Sequence, residues 1–269
     1  MAEEVPGVSG RVAIVTGATQ GIGRAAAAQL AAAGAKVAIA ARTADRLEAV
    51  AKEIGALAVP TDVANSEQVD SLVRRTLGTF GRVDILVNNV GGSYGSTFRR
   101  GPLLDLTEQD FDNAVAVNLK SVFMCSRAVA PHMIERESGS IINVSSIMAQ
   151  QIHGTRVGAA LYGATKAAVI NLTWSMAAEW APVRVNVIVP GFIDSPRSVP
   201  TRSAEGNKQR VAVVGQGRFG TPDEAAAVVL FLASDASSYV SGACIEVHGG
   251  FKSPLPPMEA LTAGATRSH

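Results

Sequence analysis

The chain holds 269 residues, with 24 basic and 23 acidic side chains and a formal net charge of +1. That balance excludes a nucleic-acid binder working through a broad basic field, and equally an acidic solvating chain. Hydrophobic residues make up 47%, enough for a sizeable core, which excludes global disorder. Aromatic residues are only 5% while glycine numbers 26, a small-residue density that suits close helix–sheet packing. At roughly 150 residues per domain the length lies between one domain and two, and α/β folds often run longer as one. Cys125 and Cys244 are the only thiols. They make neither a disulfide framework nor a metal spacing, so no metal is expected. The N-terminal MAEEVPGVSG is acidic and lacks a signal peptide's basic start and apolar stretch. The most apolar stretch, 25–41, is broken by Gln29, Gly34 and Lys36, which argues against a spanning helix. The expectation is a cytoplasmic protein that contacts neither membrane nor nucleic acid.

In chain order, short β-branched runs alternate with longer amphipathic stretches. RVAIVT (11–16), KVAIAA (36–41), ALAVP (56–60), DILVN (84–88), SIINVS (140–145), VRVNVIV (183–189) and ACIEV (243–247) read as strands. Several are apolar almost throughout, as strands are when helices cover both sheet faces. Helices are predicted over 21–33, 44–54, 65–80, 107–135, 161–180 and 222–234. Asn65, Thr107 with Asp110, and Thr221-Pro222 mark starts; Gly34 and Gly55 follow ends. This alternation predicts an α/β fold: a Rossmann-type doubly wound parallel sheet of about seven strands. No linker or internal repeat divides it, so a single domain is expected, with its core at about 9–250 and a proline-containing tail at 251–269. The segments 89–106, 146–160 and 190–220 read as irregular. They leave from the carboxyl ends of strands, where an open parallel sheet binds ligands.

The first strand runs into TGATQGIG, residues 16–23. Gly17, Gly21 and Gly23 allow a tight turn, a close approach of backbone to a pyrophosphate, and packing of helix on strand. The helix start offers unpaired N–H groups to phosphates, with Thr19, Gln20 and Ile22 beside them. An NAD enzyme would place Asp or Glu at the end of the second strand to accept from the ribose 2′-hydroxyl. Here the strand ends AIAART. Ala41 cannot accept that bond, whereas the Arg42 guanidinium suits a 2′-phosphate and Thr43 adds a hydroxyl. This favours NADP(H), with NAD(H) as the alternative; Gln20 brings no second positive charge.

Tyr162 and Lys166 stand at i and i+4 in YGATK, on one face of the helix predicted there. A neighbouring ammonium favours the phenolate, so a tyrosine so placed can exchange a proton with a carbonyl or alcohol oxygen. Tyr94 and Tyr239 lack such a lysine. Ser145 and Ser146 end a strand shortly before. On a continuing strand they point to opposite faces, so only one can donate to a reacting oxygen. The other would serve a turn or cap.

The chain resembles the short-chain dehydrogenase/reductase family, in particular its 3-oxoacyl-carrier-protein reductase-like members. The motifs that carry the resemblance are TGATQGIG, Asp62-Val63, NNVG (88–91), VNLKSVF around Asn118, INVSS (142–146), YGATK, VNVIVPG (185–191), and GRFGTPDE followed by FLASDASSYVSG. Together, in this order, they span about residues 9–250. The resemblance implies that Tyr162 is the proton donor in reduction. Lys166 lowers its pKa and holds the nicotinamide ribose, Ser146 stabilises the substrate oxygen, and Asn118 holds a water linked to the lysine. It puts Asn88, Asp62 and Val63 at adenosine-side and structural positions and Asn89 and Gly91 beside the cofactor. Pro190, Gly191, Ile193 and Ser195 match the loop along the nicotinamide. It also implies a homotetramer, through helices near 107–135 and 161–180 and the last strand and helix. Three positions depart from the family pattern: Val90 for alanine, Ser195 for threonine, and His248 for aspartate. The segment 147–161 is about three residues longer than usual. Met148, Gln150, His153 and Phe192 are candidate substrate contacts, and Gln151, Thr155 and Arg156 share that loop.

The function expected is hydride transfer between NADP(H) and a ketone or secondary alcohol. A 3-oxoacyl thioester is one substrate class, with Arg99, Arg100, Arg197 and Arg202 available to an acidic carrier. The alternative is an NAD-dependent dehydrogenase of a cyclic alcohol or dihydrodiol. A non-catalytic cofactor-sensing protein ranks below both, because Tyr162 and Lys166 are present.

Overall fold

The computed structural model describes residues 7–92, 101–150, 159–195 and 204–250. Seven strands form one sheet: β1 (Val12–Thr16), β2 (Lys36–Ala41), β3 (Leu57–Pro60), β4 (Ile85–Asn88), β5 (Ser140–Val144), β6 (Arg184–Pro190) and β7 (Cys244–Val247). Their order is β3-β2-β1-β4-β5-β6-β7, and every neighbouring pair is parallel. The predicted seven-stranded parallel α/β sheet is the architecture observed.

Alternation along the strands sorts the core. Ala13, Val15, Val37 and Ile39 face one side. They pack there with α1 (Gly21–Ala32), α2 (Ala44–Ile54) and α8 (Pro222–Ala233). Ile14, Ala38, Ala40 and Leu86 face the other side. They meet α3 (Ser66–Phe80), α5 (Ser121–Glu135) and α6 (Ala160–Glu179). Strands buried on both faces must be apolar throughout, which is why β1, β4 and β5 contain no exposed residue.

Helix ends follow local chemistry. Asn65 accepts from the Gln68 amide, and Gly55 ends α2 in the left-handed region at φ 68°. Thr107–Asp110 and Thr221–Glu224 form capping boxes, and Pro222 occupies the first turn of α8.

Two expectations need correction. The single helix over 107–135 is α4 (Glu108–Val115), a π-turn (Ala116–Lys120), and then α5. A one-residue excess within continuous helix leaves no periodicity signal. The segment 190–220 also holds a helix, α7 (Ala204–Ala212). Its sequence AEGNKQRVA carries no apolar stripe, and none of its residues is buried.

A polar ladder crosses the core between sheet and helices. Asn88 donates to Ser126 Oγ and to Asn143 Oδ1, both at 2.9 Å. Asn143 donates to Thr173 Oγ1 at 2.9 Å, and Thr173 to the Val169 carbonyl at 2.8 Å. It joins β4, β5, α5 and α6, and all four side chains are buried. Replacing Asn143 by Ala strands an amide hydrogen of Asn88. The expected loss is about 1–3 kcal/mol in a urea unfolding series. An unchanged midpoint would count against the ladder as a stabilising element.

Candidate active site

The chain crosses from one side of β1 to the other between β3 and β4, which opens a crevice at the carboxyl ends of β1 and β4. The glycine turn lies in it. Gly17 and Gly21 take left-handed backbone at φ 66° and 58°. Only glycine adopts that readily. A Cβ at Gly23 would lie 2.3 Å from Asn89 Nδ2 and 2.5 Å from the Gly17 carbonyl, so no side chain fits. Asn89 explains the crowding: its amide donates to the carbonyls of Thr16 and Gly17, both at 3.1 Å. Thr16 Oγ1 donates to the Val87 carbonyl at 3.2 Å and accepts the Asn89 amide at 3.1 Å. The ends of β1 and β4 are thereby stitched together. Gln20 precedes α1 and makes no side-chain cap, and Thr19 and Ile22 are half-buried beside it. The first N–H groups of α1 are thus left for an anion. A pyrophosphate suits this cradle, so the glycine turn fits a dinucleotide.

Arg42 is exposed one residue past β2, and Thr43 precedes α2 without a side-chain cap. Asp62 accepts from the Ala64 amide at 3.0 Å, and its own N–H donates to Gln68 at 2.7 Å. It shapes the turn into α3, with Val63 buried behind it.

Tyr162 and Lys166 lie on α6, with Lys166 Nζ 6.0 Å from the centre of the Tyr162 ring. The lysine is buried and donates to the Val144 carbonyl at 2.7 Å. Burial pulls its pKa down from 10.5 to about 8, because the charged form loses hydration. A Cβ at Gly91 would lie 2.6 Å from Nζ and 3.0 Å from Asn118 Oδ1. The amine, the amide and the glycine therefore converge. Asn118 sits in the π-turn, fully buried. Its side chain accepts from the Gly92 amide at 2.9 Å and donates to the Gly92 and Ala114 carbonyls at 3.3 and 3.2 Å. The adjacent glycines of NNVGG were the only sequence signal for this clasp.

The two serines divide as alternation requires. Ser145 donates to the Lys166 carbonyl at 2.8 Å, tying α6 to the sheet, a role that the sequence does not signal. Ser146 accepts from the Met148 amide at 3.2 Å. Among the described residues its own hydroxyl hydrogen has no acceptor, so it can donate into the crevice.

The loop after Pro190 returns toward the glycines. Gly191 donates to the Val247 carbonyl at 3.0 Å, and Asp194 to that of Gly220 at 2.8 Å. Gly220 donates back to the Phe192 carbonyl at 3.0 Å, and Ile193 bridges to Gly220. A Cβ at Gly21 would meet Ser195 Cβ at 3.5 Å. The 191–195 loop and the glycine turn are therefore brought together at one crevice. The substrate candidates are less gathered. Phe192 meets the Phe219 ring edge-on at 6.1 Å, and exposed Gln150 reaches Cys244 Sγ at 3.6 Å. His153, the rest of its loop, and Arg99, Arg100, Arg197 and Arg202 lie outside the described residues. Val90, half-buried, packs into the core cluster beside Gly17.

A family model described as enoyl-(acyl carrier protein) reductase matches residues 17–252. The chain is 38% identical over 252 residues to a 3-oxoacyl-[acyl-carrier-protein] reductase from Thermotoga maritima, covering 90% of this chain and 98% of that one. The chain belongs to the short-chain dehydrogenase/reductase family. As a member of it, this protein is an NAD(P)-dependent oxidoreductase acting on CH–OH/C=O. Another relative in the family is a cyclohexanol dehydrogenase from Rhodococcus sp. (strain TK6), 38% identical over 270 residues, covering 93% of this chain and 98% of that one. A solved dehydrogenase/reductase structure, a 7α-hydroxysteroid dehydrogenase complexed with NADH and 7-oxo glycochenodeoxycholic acid, superposes with a TM-score of 0.85. It is 32% identical, with coverage of 93% of this chain and 97% of that one.

The buried lysine sets a pH signature for the cofactor-free protein. Between pH about 8 and 10.5 the unfolded chain holds the Lys166 proton and the folded one does not. Stability should therefore rise with pH across this window relative to a Lys166→Met variant, by on the order of 3 kcal/mol. Urea midpoints of the two proteins at pH 8 and pH 10 measure it. Parallel curves would show that the amine is not held by burial.

Proposed function

We propose that this protein transfers hydride between NADP(H) and a ketone or secondary alcohol, with Tyr162 as the proton donor in reduction and acceptor in oxidation. The observation that carries this reading is a buried lysine amine 6.0 Å from the Tyr162 ring, set against Gly91 beside the glycine turn. An ammonium there favours the phenolate, which lets the tyrosine exchange a proton near neutral pH. Ser146 donates to the substrate oxygen, and Asn118 fixes the Gly91-Gly92 backbone next to the amine and, with a water, relays protons to it. When bound, the nicotinamide supplies or takes the hydride. Gly17, Thr19, Gln20, Gly21 and Ile22 seat its pyrophosphate. Asp62, Val63, Asn89 and Gly91 border the adenosine and ribose, while Pro190, Gly191, Ile193 and Ser195 border the nicotinamide.

Preference for NADP(H) rests on Arg42, exposed and without an ion-pair partner among the described residues. A guanidinium there suits a 2′-phosphate by charge and geometry. The second reading, an NAD-dependent dehydrogenase of a cyclic alcohol, draws on the cyclohexanol dehydrogenase relative and on the NADH in the steroid dehydrogenase complex. Substrate classes to compare are 3-oxoacyl thioesters and small cyclic ketones or alcohols, with Met148, Gln150, His153 and Phe192 as lining candidates. We further infer a cytoplasmic homotetramer built from one domain, core about 9–250. Phe111 on α4, Phe123 on α5 and Trp174 on α6 are 53%, 42% and 49% exposed, which supports a partner copy on those helices.

A ketone and alcohol panel, read by nicotinamide absorbance with NADPH and NADH in parallel, tests the reading. Tyr162→Phe should cut turnover by about 10²–10⁴-fold. Retained turnover would sink the mechanism. Arg42→Ala should raise the KM for NADPH about tenfold and leave that for NADH unchanged. A wild-type preference for NADH would overturn the role of Arg42.

A further inference from the structure

We propose that Gly163 is a positioning residue: by carrying no Cβ it sets the spacing at which the Ser146 and Tyr162 hydroxyls converge on a substrate oxygen. The proposal rests on the roles given to those two residues in the hydride-transfer reading. Gly163 directly follows Tyr162, in the first turns of α6. Glycine is a poor helix former there, and α6 carries alanine at 160, 164, 167 and 168. Gly163 is not among the residues of positive φ, so no backbone demand explains it. Lack of room does. A Cβ at Gly163 would lie 2.9 Å from the Met148 carbonyl oxygen and 3.7 Å from its carbon.

Met148 belongs to the same short turn as Ser146. Ser146 caps a 3₁₀ turn at Ile147–Ala149, its Oγ accepting from the Met148 amide at 3.2 Å. The Ala149 amide donates to the Ser146 carbonyl at 2.9 Å, and the Gln150 amide to that of Ile147 at 3.1 Å. The Met148 carbonyl shares a peptide plane with the Ala149 amide, so it cannot swing aside without straining that bond. Ile147 is buried in the core cluster that also holds Val169 and Ile170 of α6. The start of α6 is held as firmly. The Gly163 amide donates to the Ala159 carbonyl at 2.8 Å, and Lys166 to that of Val144 at 2.7 Å. Two firm elements thus meet at Gly163, one carrying Ser146 and the other Tyr162. A Cβ between them would act as a spacer: whichever element yields, the separation of the two hydroxyls changes. An oxygen that must bond both hydroxyls tolerates little change, since the O···O window is only about 0.5 Å wide.

A double-mutant cycle between Gly163→Ala and Ser146→Ala on the full chain tests this. The assay uses whichever 3-oxoacyl thioester, cyclic ketone or cyclic alcohol the wild type turns over fastest, with NADPH and NADH in parallel. Alanine is the better helix former, so Gly163→Ala is expected to fold. It should lower kcat about three- to tenfold, because the reacting oxygen is held off its best position. Calorimetric titration should leave its Kd for the cofactor within about twofold of the wild type, since the glycine turn is untouched. In the Ser146→Ala background the same substitution should cost less than about 1.5-fold, because no serine hydroxyl is left to misplace. Three outcomes overturn the inference while the functional reading stands. They are full turnover by Gly163→Ala, an equal loss when the Ser146 hydroxyl is already gone, and a loss of turnover that a lowered urea midpoint and weakened cofactor binding accompany. A wild type that turns over no member of the panel overturns the functional reading and this inference with it.

Discussion

The site depends on keeping one amine inside the protein. Lys166 is fully buried, and loss of hydration is the cause that lowers its pKa. Such an amine must be held by geometry, since charge attraction does not hold it. Three features supply that geometry. The Val144 carbonyl accepts a hydrogen bond from it, Gly91 leaves the volume that any side chain would fill, and Ser145 anchors the lysine's own carbonyl to β5. Two of them lie at the end of β5 and one just beyond β4, neighbouring strands of the sheet, so the placement of the amine requires the parallel sheet.

The sheet is in turn secured to α6 by polar contacts within its core. Asn88, Asn143 and Thr173 run from β4 to the helix that carries Tyr162 and Lys166. An apolar interface would allow α6 to slide by small steps with little loss. Directional hydrogen bonds between fixed partners do not allow it. The polar groups in the interior set the register of the helix that carries Tyr162 and Lys166.

Most of this was legible in the sequence, for definable reasons. The strands announced themselves because burial on both faces requires continuous apolar runs such as VAIVT and SIINV. Tyr162 and Lys166 were legible because helical spacing places i and i+4 together. Ser145 and Ser146 separated because strand neighbours alternate. What escaped was what has no period. The π-turn around Asn118 adds one residue to a helix without changing its composition, and α7 has no apolar stripe at all. The clasp between Asn118 and Gly92 joins residues 26 apart, and only the paired glycines of NNVGG hint at it.

The absence of any buried residue in α7 has a consequence for how such proteins diversify. A segment that contributes nothing to the core can change sequence without threatening the fold. It follows the loop 191–195 in the chain, whereas Asn118, Ser145 and Lys166 are embedded in the core. The two segments are then inherited under different constraints: the embedded residues under strict packing, α7 almost without it. Relatives named for an acyl-carrier thioester, a cyclohexanol and a hydroxysteroid on one shared scaffold are the outcome that such a division allows.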